Sequence, residues 1–433
     1  MRYIKKPLPT PKAVTQEIRD TVSEIISAVE TEGLAAVKRY SERFDHWNPP
    51  SFRVSAAEIA DAVENTPESW QQHITWLQNQ VRRFAELQKS TLSEFEIETH
   101  PGITLGQKQI PVSSVGSYSP GGRYPLIASS AMTVVVPKVA GVRRVVASAP
   151  PRDAKGIYAA QLYTMHTSGA DEIYSIGGVQ ALAAFAFGVP ELELEPTDMI
   201  VGAGNAYVAE AKRQLFGVCG IDLLAGPTDI LIIADETANP YTVAIDLLGQ
   251  AEHGFNSPAT LVTTSLSLAL EVEKLIPKIL EHYPTKAVAG VAWCDCGSII
   301  VCESDLEMVQ VSDQHAPEHL EVQTADPDWY LARLQNYGSV FLGHEATVAY
   351  SDKAIGTNHV LPTGGAARYT GGLWVGKFTK TVTYQRCTAE GSLIVAPHAG
   401  AVSRAELMFG HGLSCDIRLA SDKKAFVEAL AQE

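Results

Sequence analysis

The feature that most restricts the fold is a change of rhythm beyond residue 110, where short apolar stretches of strand length alternate with helical stretches. The candidate strands are residues 145–149, 172–176, 198–201, 229–234, 259–264 and 298–302. The helical stretches between them are residues 156–168, 179–187, 206–215, 240–252 and 265–282. Apolar strands joined by helices of this length are typical of βαβ units, so the pattern predicts parallel sheets covered by helices.

Two such blocks meet at a break near Gly226 and Pro227. We therefore expect an α/β protein with two Rossmann-like parallel-sheet domains, a helical N-terminal region and a small C-terminal dimerisation segment. The expected divisions are residues 1–110, helical at first and part of the first α/β domain, then 111–226, 227–375 and 376–433. The last segment is too short to hold a core, so we expect it to dock on another domain or on a partner subunit.

Composition narrows the class of partner and the compartment. The chain of 433 residues has a formal net charge of −15, which argues against nucleic-acid and acidic-membrane partners. Its apolar runs are too short to cross a bilayer, and no signal peptide follows the basic N-terminus. Six irregularly spaced cysteines do not form a disulfide framework, so we expect a cytoplasmic protein. Cys294 and Cys296, with Cys302 nearby, are interpreted as small apolar side chains of a buried strand rather than half of a metal site.

Three glycine-containing turns point to a nucleotide cleft. Residues 202–205 (Gly-Ala-Gly-Asn) and 175–180 (Ser-Ile-Gly-Gly-Val-Gln) each follow a candidate strand and open a helix. Residues 119–123 (Ser-Pro-Gly-Gly-Arg) form the third tight turn. A helix N-terminus after a tight turn suits a phosphate group, although Tyr207 stands where the dinucleotide fingerprint would place its last glycine.

Histidines and carboxylates form a second set of candidates. Gln250 and His253 are three residues apart on one predicted helix and share a face, as two metal ligands can. Glu318 and His319 are adjacent, and a histidine suits proton transfer near neutral pH. Further candidates are Asp352, His359, Glu406 and His411. Each residue also fits a solvated polar surface, and the residues alone leave both interpretations open.

Taken together, these segments resemble the histidinol dehydrogenase family along nearly the whole chain. The resemblance rests on residues 225–236 running on to 250–254, on Ala-Pro-Glu-His-Leu-Glu at 316–321 and on Gly-Thr-Asn-His-Val-Leu-Pro-Thr at 356–363. It implies a homodimer that uses NAD and one zinc per site to oxidise a primary alcohol to an aldehyde and then to a carboxylate.

The resemblance also implies residue roles. The zinc ligands would be Gln250, His253, Asp352 and His411. His319 would take the alcohol proton, and Glu318 would activate the water that adds to the aldehyde. The nucleotide contacts would be Tyr118, Gln180 and Asn205, one at each turn. The substrate contacts would be Thr228, His359 and Glu406 together with His319. Glu406 and His411 would complete the site of the partner subunit.

The chain departs from the family beside the expected zinc aspartate. Histidinol dehydrogenases usually have Pro-Glu, two residues and Gly-Asp-Tyr there, whereas this chain has valine at 348 in place of the acid and Lys353 in place of the tyrosine. Together with Arg123, these changes favour an anionic substrate over a cationic one such as histidinol. The chain resembles the branch of sulfopropanediol dehydrogenases here, which implies a substrate such as 2,3-dihydroxypropane-1-sulfonate.

Other hypotheses stay open at this point. The chain could be an authentic L-histidinol dehydrogenase of histidine biosynthesis, a zinc hydrolase that uses Glu318 without a nucleotide, or a silent paralogue kept for binding. Arg123, Lys353 and Arg368 could contact either the substrate or the cofactor phosphates.

Overall fold

The computed structural model describes residues 1–8, 14–122, 124–224 and 226–430. The chain divides into two units, which are considered one at a time. The first unit comprises Met1–Lys89 and Val112–Phe378, and the second comprises Ser90–Pro111 and Thr379–Glu433.

The first unit begins with one strand and a run of helices: β1 (Arg2–Lys5), α1 (Gln16–Glu32), α2 (Leu34–Asp45), α3 (Ala56–Asn65) and α4 (Glu68–Ser90). Helix α1 starts where the Thr15 hydroxyl accepts a hydrogen bond from a backbone N–H of the first turn, and it buries Val22, Ile25 and Val29 on one face. These side chains pack into the core of the first parallel sheet. The next two strands, β2 (Phe95–His100) and β3 (Ile103–Pro111), belong to the second unit.

The first parallel sheet alternates strands and helices. Its elements are β4 (Ser114–Tyr118), α5 (Ile127–Ala140), β5 (Arg144–Ser148), α6 (Ala159–Ser168), β6 (Glu172–Tyr174), α7 (Gly178–Phe187), β7 (Met199–Val201), α8 (Ala206–Leu215) and β8 (Gly220–Ile221). The described strands lie in the order β6-β5-β4-β7-β8 and pair in parallel. Strand order therefore reverses beside β4, as it does in Rossmann-like lobes.

The second parallel sheet repeats this plan. Its elements are β9 (Ile230–Ala234), α9 (Pro240–Ala251), β10 (Ala259–Thr263), α10 (Leu266–His282), α11 (Lys286–Cys296), β11 (Ser298–Val301), α12 (Asp305–His315), β12 (His319–Gln323), α13 (Pro327–Leu331), β13 (Ser339–Leu342) and α14 (Val348–Lys353). The order is β1-β11-β10-β9-β12-β13, and β1 alone among the described strands of this sheet pairs antiparallel. Strands β9 and β10 are buried at every position, because helices cover both faces.

The second unit is a small antiparallel sheet with helices. Strand β14 (Thr379–Cys387) pairs along its whole length with β3, which pairs in turn with β2. Helices α15 (Ala389–Ala405), α16 (Phe409–Leu419) and α17 (Lys423–Leu430) follow. Few of their side chains are buried, and several large apolar ones are exposed, including Leu393, Val402, Leu407 and Phe409.

These observations confirm the expected α/β class with parallel sheets, and the candidate strands and helices beyond residue 140 all have counterparts. The interpretation of the cysteines was wrong. Cys294 and Cys296 lie on helix α11, Cys294 is exposed, and only Cys302 adjoins a buried strand. Within the described ranges, no helix combines the length and apolarity needed to cross a membrane.

Candidate active site

The glycine turns gather at the carboxyl ends of the strands in the first sheet. Tyr118 ends β4, and Gly202 follows β7 on the other side of the point where strand order reverses. A crevice at such a point is where α/β sheets bind nucleotides. Gly202 has a φ angle of 129°, and a Cβ at this position would lie 2.1 Å from the carbonyl oxygen of Tyr118. Only glycine allows the two strand ends to approach this closely.

The residues expected to contact a nucleotide stand at two of these turns. The Tyr118 hydroxyl accepts a hydrogen bond from the Gly178 N–H at 3.1 Å, and burial raises the pKa of this phenol to about 12. Gln180 lies in the first turn of α7, beside the same contact. Asn205 caps α8 by accepting hydrogen bonds from two backbone N–H groups at 3.0 and 3.2 Å. The structure brings Tyr118 and Gln180 to one turn, and their binding of a nucleotide stays a prediction.

A buried ion pair that sequence analysis missed holds the turn at Gly202. The Lys212 ammonium donates a hydrogen bond to the Gly202 carbonyl at 2.7 Å, and the Gly202 N–H donates to Asp222 at 2.9 Å. Lys212 and Asp222 also form a salt bridge with each other, and their side chains are 1% and 0% exposed. Both backbone groups of the glycine are therefore fixed by charged partners, which hold the turn in place.

The expected proton-handling residues lie at the amino ends of two neighbouring strands of the second sheet, β9 and β12. Strands β9 and β12 are adjacent and in register, so Thr228 and Asp229, which precede β9, lie beside Glu318 and His319 at the start of β12. Helix α9 runs back towards this edge, as a crossover helix between parallel strands must, and brings Gln250 to it. The Gln250 amide donates a hydrogen bond to the Thr228 hydroxyl at 2.5 Å.

His319 is held in one tautomer, and its Nε2 has no hydrogen-bond partner among the described residues. Its Nδ1 lies 2.9 Å from the carbonyl oxygen of Asp229, which can only accept, so we assign the ring proton to Nδ1. Burial lowers the pKa of His319, which leaves the ring neutral near pH 7. Its Nε2 is also buried. An unprotonated nitrogen in this state can accept a proton or bind a ligand.

Glu318 and Asp229 are tied together. The Glu318 N–H donates to the Asp229 carboxylate at 2.9 Å, and the Asp229 N–H donates to the Glu318 carboxylate at 3.2 Å. Burial, together with the neighbouring Asp229 charge, raises the pKa of Glu318 well above its usual value. Burial also raises the pKa of Asp229, to about 6. Burial and the Asp229 charge both favour the protonated form of Glu318 relative to an exposed glutamate.

Asp352, on α14, faces basic side chains that come from several elements. Its Oδ1 lies 3.8 Å from the Nε2 of His319, and its Oδ2 lies 3.5 Å from the Nζ of Lys353. Burial alone would raise the pKa of Asp352, but His359, His319, Lys353 and His253 outweigh burial, so the pKa is lowered. Oδ1 is buried and lacks a hydrogen-bond partner within the described ranges. A charged oxygen without a donor is a position that a cation can fill.

His359 connects this cluster to the first sheet. Its Nδ1 lies 3.1 Å from the Asp352 carbonyl oxygen, and its Nε2 lies 2.7 Å from the hydroxyl of Ser129 on α5. Burial lowers the pKa of His359 to about 4, so this ring is also neutral near pH 7. Because α5 follows β4, the contact places the cluster on the side of the first sheet where the glycine turns lie.

Two acids, the buried Glu321 and the half-buried Asp246, join the elements that carry these residues. Glu321 on β12 accepts hydrogen bonds from the Val348 N–H at 3.0 Å and from the Gln323 amide at 2.9 Å. Gln323 also donates to Asp246 on α9 at 3.1 Å, and Thr347 donates to the same carboxyl at 3.2 Å. The pair therefore connects α9, β12 and α14, which bear Gln250, His319 and Asp352.

This acid pair predicts a pH-dependent stability. Burial and then the Asp246 charge raise the pKa of Glu321 to about 8, whereas in the unfolded chain it titrates near its ordinary value. The stability that the pair contributes is full at acidic pH and is lost as pH rises towards 8. The amide of Glu321→Gln can donate to Asp246 at either pH. We expect the free energy of unfolding of this variant, relative to that of the parent, to be higher at about pH 8 than at about pH 5 by on the order of 1–3 kcal/mol.

Urea unfolding of both proteins at the two pH values measures this difference. Glu236→Gln, which removes an exposed carboxylate, serves as the control and should track the parent. An identical pH response of Glu321→Gln and the parent would show that the pair does not hold a proton.

The remaining sequence candidates fall outside this cluster. Arg123 lies outside the described residues. Arg368 donates to the backbone carbonyls of Gly365 and Gln314, which uses its guanidinium within the fold. Glu406 follows α15 and His411 lies on α16, both exposed and both in the second unit. Across the described ranges, no group of three or more His, Cys, Asp and Glu side chains is arranged to hold a metal ion.

The supporting residues Asp229, Ser129, Asp246 and Glu321 were not predicted from sequence. Asp229 had a usable signal, because it is a charged residue at the boundary of a wholly apolar strand. The other three act through partners distant in the sequence, and no local pattern marks them.

Comparison with known proteins places the chain in a family. The family model "Histidinol dehydrogenase" matches residues 8–419. A "Histidinol dehydrogenase homolog" of Shouchella clausii is 51% identical over 93% of this chain and 94% of its own. A "Sulfopropanediol 3-dehydrogenase" of Ruegeria pomeroyi is 47% identical over 97% and 96%. The crystal structure of histidinol dehydrogenase from Elizabethkingia anophelis matches with a TM-score of 0.89 and 33% identity, covering 95% of this chain and 94% of the other. The chain therefore belongs to the histidinol dehydrogenase family, whose members are NAD-dependent oxidoreductases that act on CH–OH groups.

Proposed function

We propose that this protein uses NAD and zinc to oxidise a small anionic primary alcohol, through the aldehyde, to the carboxylate. A substrate of the type of 2,3-dihydroxypropane-1-sulfonate fits best. The observation that carries the proposal is the buried, unpartnered Nε2 of His319, held 3.8 Å from the unpartnered Oδ1 of Asp352. A free base and an unpartnered carboxylate at one point could take the proton of an alcohol and, with other residues, hold a metal ion that would polarise its oxygen.

His319 is the proposed base. The Asp229 carbonyl fixes its ring, and its pKa is lowered by burial, so the neutral form that accepts a proton is present at neutral pH. Glu318 is proposed to activate water for the second oxidation. Burial and the Asp229 charge favour the protonated form of Glu318, and zinc bound nearby would lower its pKa and so favour the carboxylate.

The donor set fits zinc, a cofactor on which the family generally depends together with NAD. Gln250, His253 and Asp352 would supply nitrogen and oxygen donors, and the fourth ligand would be His411 from a second copy of the chain. Asp352 fits because the charged Oδ1 lacks a donor and imidazoles surround it. When bound, zinc would polarise the alcohol oxygen and NAD, along Tyr118, Gln180 and Asn205, would accept the hydride.

Positive charge at the edge of the cluster supports an anionic substrate. Lys353 places an ammonium beside Asp352 and is 53% exposed, so it can meet an anionic group of a substrate bound by Thr228 and His359. Val348, the other departure from the family pattern, packs into the apolar core of the second sheet. The proposed preference for an anion therefore rests on Lys353 and Arg123, and it agrees with the relative named sulfopropanediol 3-dehydrogenase.

The experiment that tests the function measures NADH formation by zinc-loaded protein with 2,3-dihydroxypropane-1-sulfonate and, separately, with L-histidinol. Turnover of the sulfonate supports the proposal. Turnover of histidinol alone supports the second candidate, an authentic histidinol dehydrogenase, which the match to a structure of that name favours. The family assignment leaves no observation in favour of a hydrolase.

Lys353 provides a sharper test of the substrate class. We expect Lys353→Tyr to raise KM for the sulfonate about 10-fold, because a hydrogen bond to a charged group contributes about 1.5–3 kcal/mol when partly shielded from water. The value of kcat should change less, since Lys353 is not proposed to move a proton.

Steady-state kinetics of Lys353→Tyr and Lys353→Arg check this expectation. The arginine variant keeps the charge and should stay close to the parent. An unchanged KM in Lys353→Tyr would remove Lys353 from the substrate site.

A further inference from the structure

Asp45, the last residue of α2, reaches the glycine turn that follows β6. Its Oδ2 accepts a hydrogen bond from the Gln180 amide at 3.2 Å. A Cβ added to Gly177 would lie 2.8 Å from Oδ2 and 3.1 Å from Oδ1, so the carboxylate rests directly against this turn. The indole of Trp47 donates to the Ser175 carbonyl at 3.1 Å and fastens the loop after α2 to the same place. The position of Asp45 is therefore well determined by its surroundings.

The Asp45 carboxylate can accept more hydrogen bonds than it receives from the described residues. Among the described residues, no lysine or arginine forms an ion pair with it, and the Gln180 amide is its single hydrogen-bond donor there. Burial raises the pKa of Asp45 to about 6, so the group is mostly ionised near pH 7.5. An ionised carboxylate accepts hydrogen bonds and donates none, so the complementary ligand group is one that brings hydroxyl donors.

The strand order of this sheet indicates which hydroxyls these are. In Rossmann-like lobes an acid about 20 residues beyond the first turn accepts hydrogen bonds from the ribose hydroxyls of NAD. Here β5 ends at Ser148, whose hydroxyl donates to the carbonyls of Tyr174 and Ile176, and two prolines follow at 150 and 151. No acid therefore occurs in the first four residues after β5, and Asp45 stands at the neighbouring strand end, against a turn that also touches Pro150.

We propose that Asp45 binds the ribose diol of the adenosine half of NAD and that its charge discriminates against the 2′-phosphate of NADP. The inference rests on the proposed NAD-dependent function and adds a specificity determinant supplied by the N-terminal helices. A carboxylate accepts two vicinal hydroxyls, whereas a phosphate at the same place would meet a like charge at short range. Gln180, already held by Asp45, would be oriented by the same contact.

Calorimetric titration of the full chain with NADH and with NADPH tests the proposal without turnover. The parent protein should bind NADH at least 10-fold more tightly than NADPH. Asp45→Asn keeps the shape of the side chain and can still accept a hydrogen bond from Gln180. We expect this variant to bind NADH about 10-fold more weakly, because hydrogen bonds to a charged group are lost. The preference for NADH over NADPH should also become smaller. Nicotinamide mononucleotide, which lacks the adenosine half, should bind to the variant as it binds to the parent.

Asp153→Asn, which removes an exposed charge from the loop after β5, is the matched control and should retain the NADH preference. Unchanged affinities for both nucleotides in Asp45→Asn would overturn the proposal, as would an equal weakening of nicotinamide mononucleotide, because that would indicate a structural effect. If the parent binds neither NADH nor NADPH, the proposed function fails and the inference fails with it.

Discussion

Replacing His319 with asparagine is expected to lower NADH formation by about 10²- to 10⁴-fold, the usual contribution of a positioned general base. Asparagine can still donate to the Asp229 carbonyl, which His319 contacts at 2.9 Å, so the start of β12 should stay in place. What is lost is the unprotonated Nε2 beside Asp352. Because His319 is not among the proposed zinc ligands, the zinc content of the variant should equal that of the parent.

A histidine elsewhere in the same unit provides a matched control. His315, at the end of α12, also contacts a backbone carbonyl, that of Val311, through Nδ1 at 2.7 Å. Its side chain is exposed, and its ring contacts its own helix. His315→Asn should therefore retain parental turnover. Full turnover in His319→Asn, or loss of its zinc, would contradict the assignment of His319 as base.

The pH dependence of turnover gives an independent readout. Burial lowers the pKa of His319, so the parent should remain active below the ordinary pKa of histidine and lose activity only as further acidification protonates the ring. The residual activity of His319→Asn should lack this acidic decline, since the titrating group is gone. A decline unchanged by the substitution would assign it to another group.

The fold could be predicted from sequence because its signal is local. Each buried strand between residues 140 and 302 is a short apolar run bounded by turn residues, and both sheets build their parallel order from such runs. Helix α11 was not predicted because its buried residues are small side chains and one tryptophan, which do not form a clear helical period of large apolar residues. The helices after β14 were missed in part because their apolar residues are largely exposed rather than arranged on one buried face.

The site could be predicted only as a set of separate residues. Spacing placed Gln250 near His253 and Glu318 next to His319, but their meeting depends on the pairing of β9 with β12, which one sequence does not reveal. The same pairing places the cluster at the amino ends of the strands, against the usual rule for α/β sheets. Glu321 and Asp246 show the limit most clearly, because a buried acid on an apolar strand is interpretable only once its partner is known.

The second large effect concerns His411, proposed to complete the zinc site of a partner subunit. His411→Ala is expected to lose zinc and with it nearly all NADH formation, since removal of one of four ligands opens the site. Within its own unit His411 is exposed on α16, and the helices around it expose large apolar side chains such as Leu407 and Phe409. Exposed apolar helices of this kind suit burial against a second copy.

Mixing two inactive variants distinguishes a shared site from a site within one chain. If each site takes His319 from one copy and His411 from the other, a mixed dimer of His319→Asn and His411→Ala holds one site with both substitutions and one intact site. After co-refolding at equal amounts, about half of the dimers are mixed and each of these has one intact site, so about a quarter of parental activity should return. Each variant refolded alone should stay inactive. If both residues serve the same chain, no dimer contains an intact site, and the mixture stays as inactive as its parts.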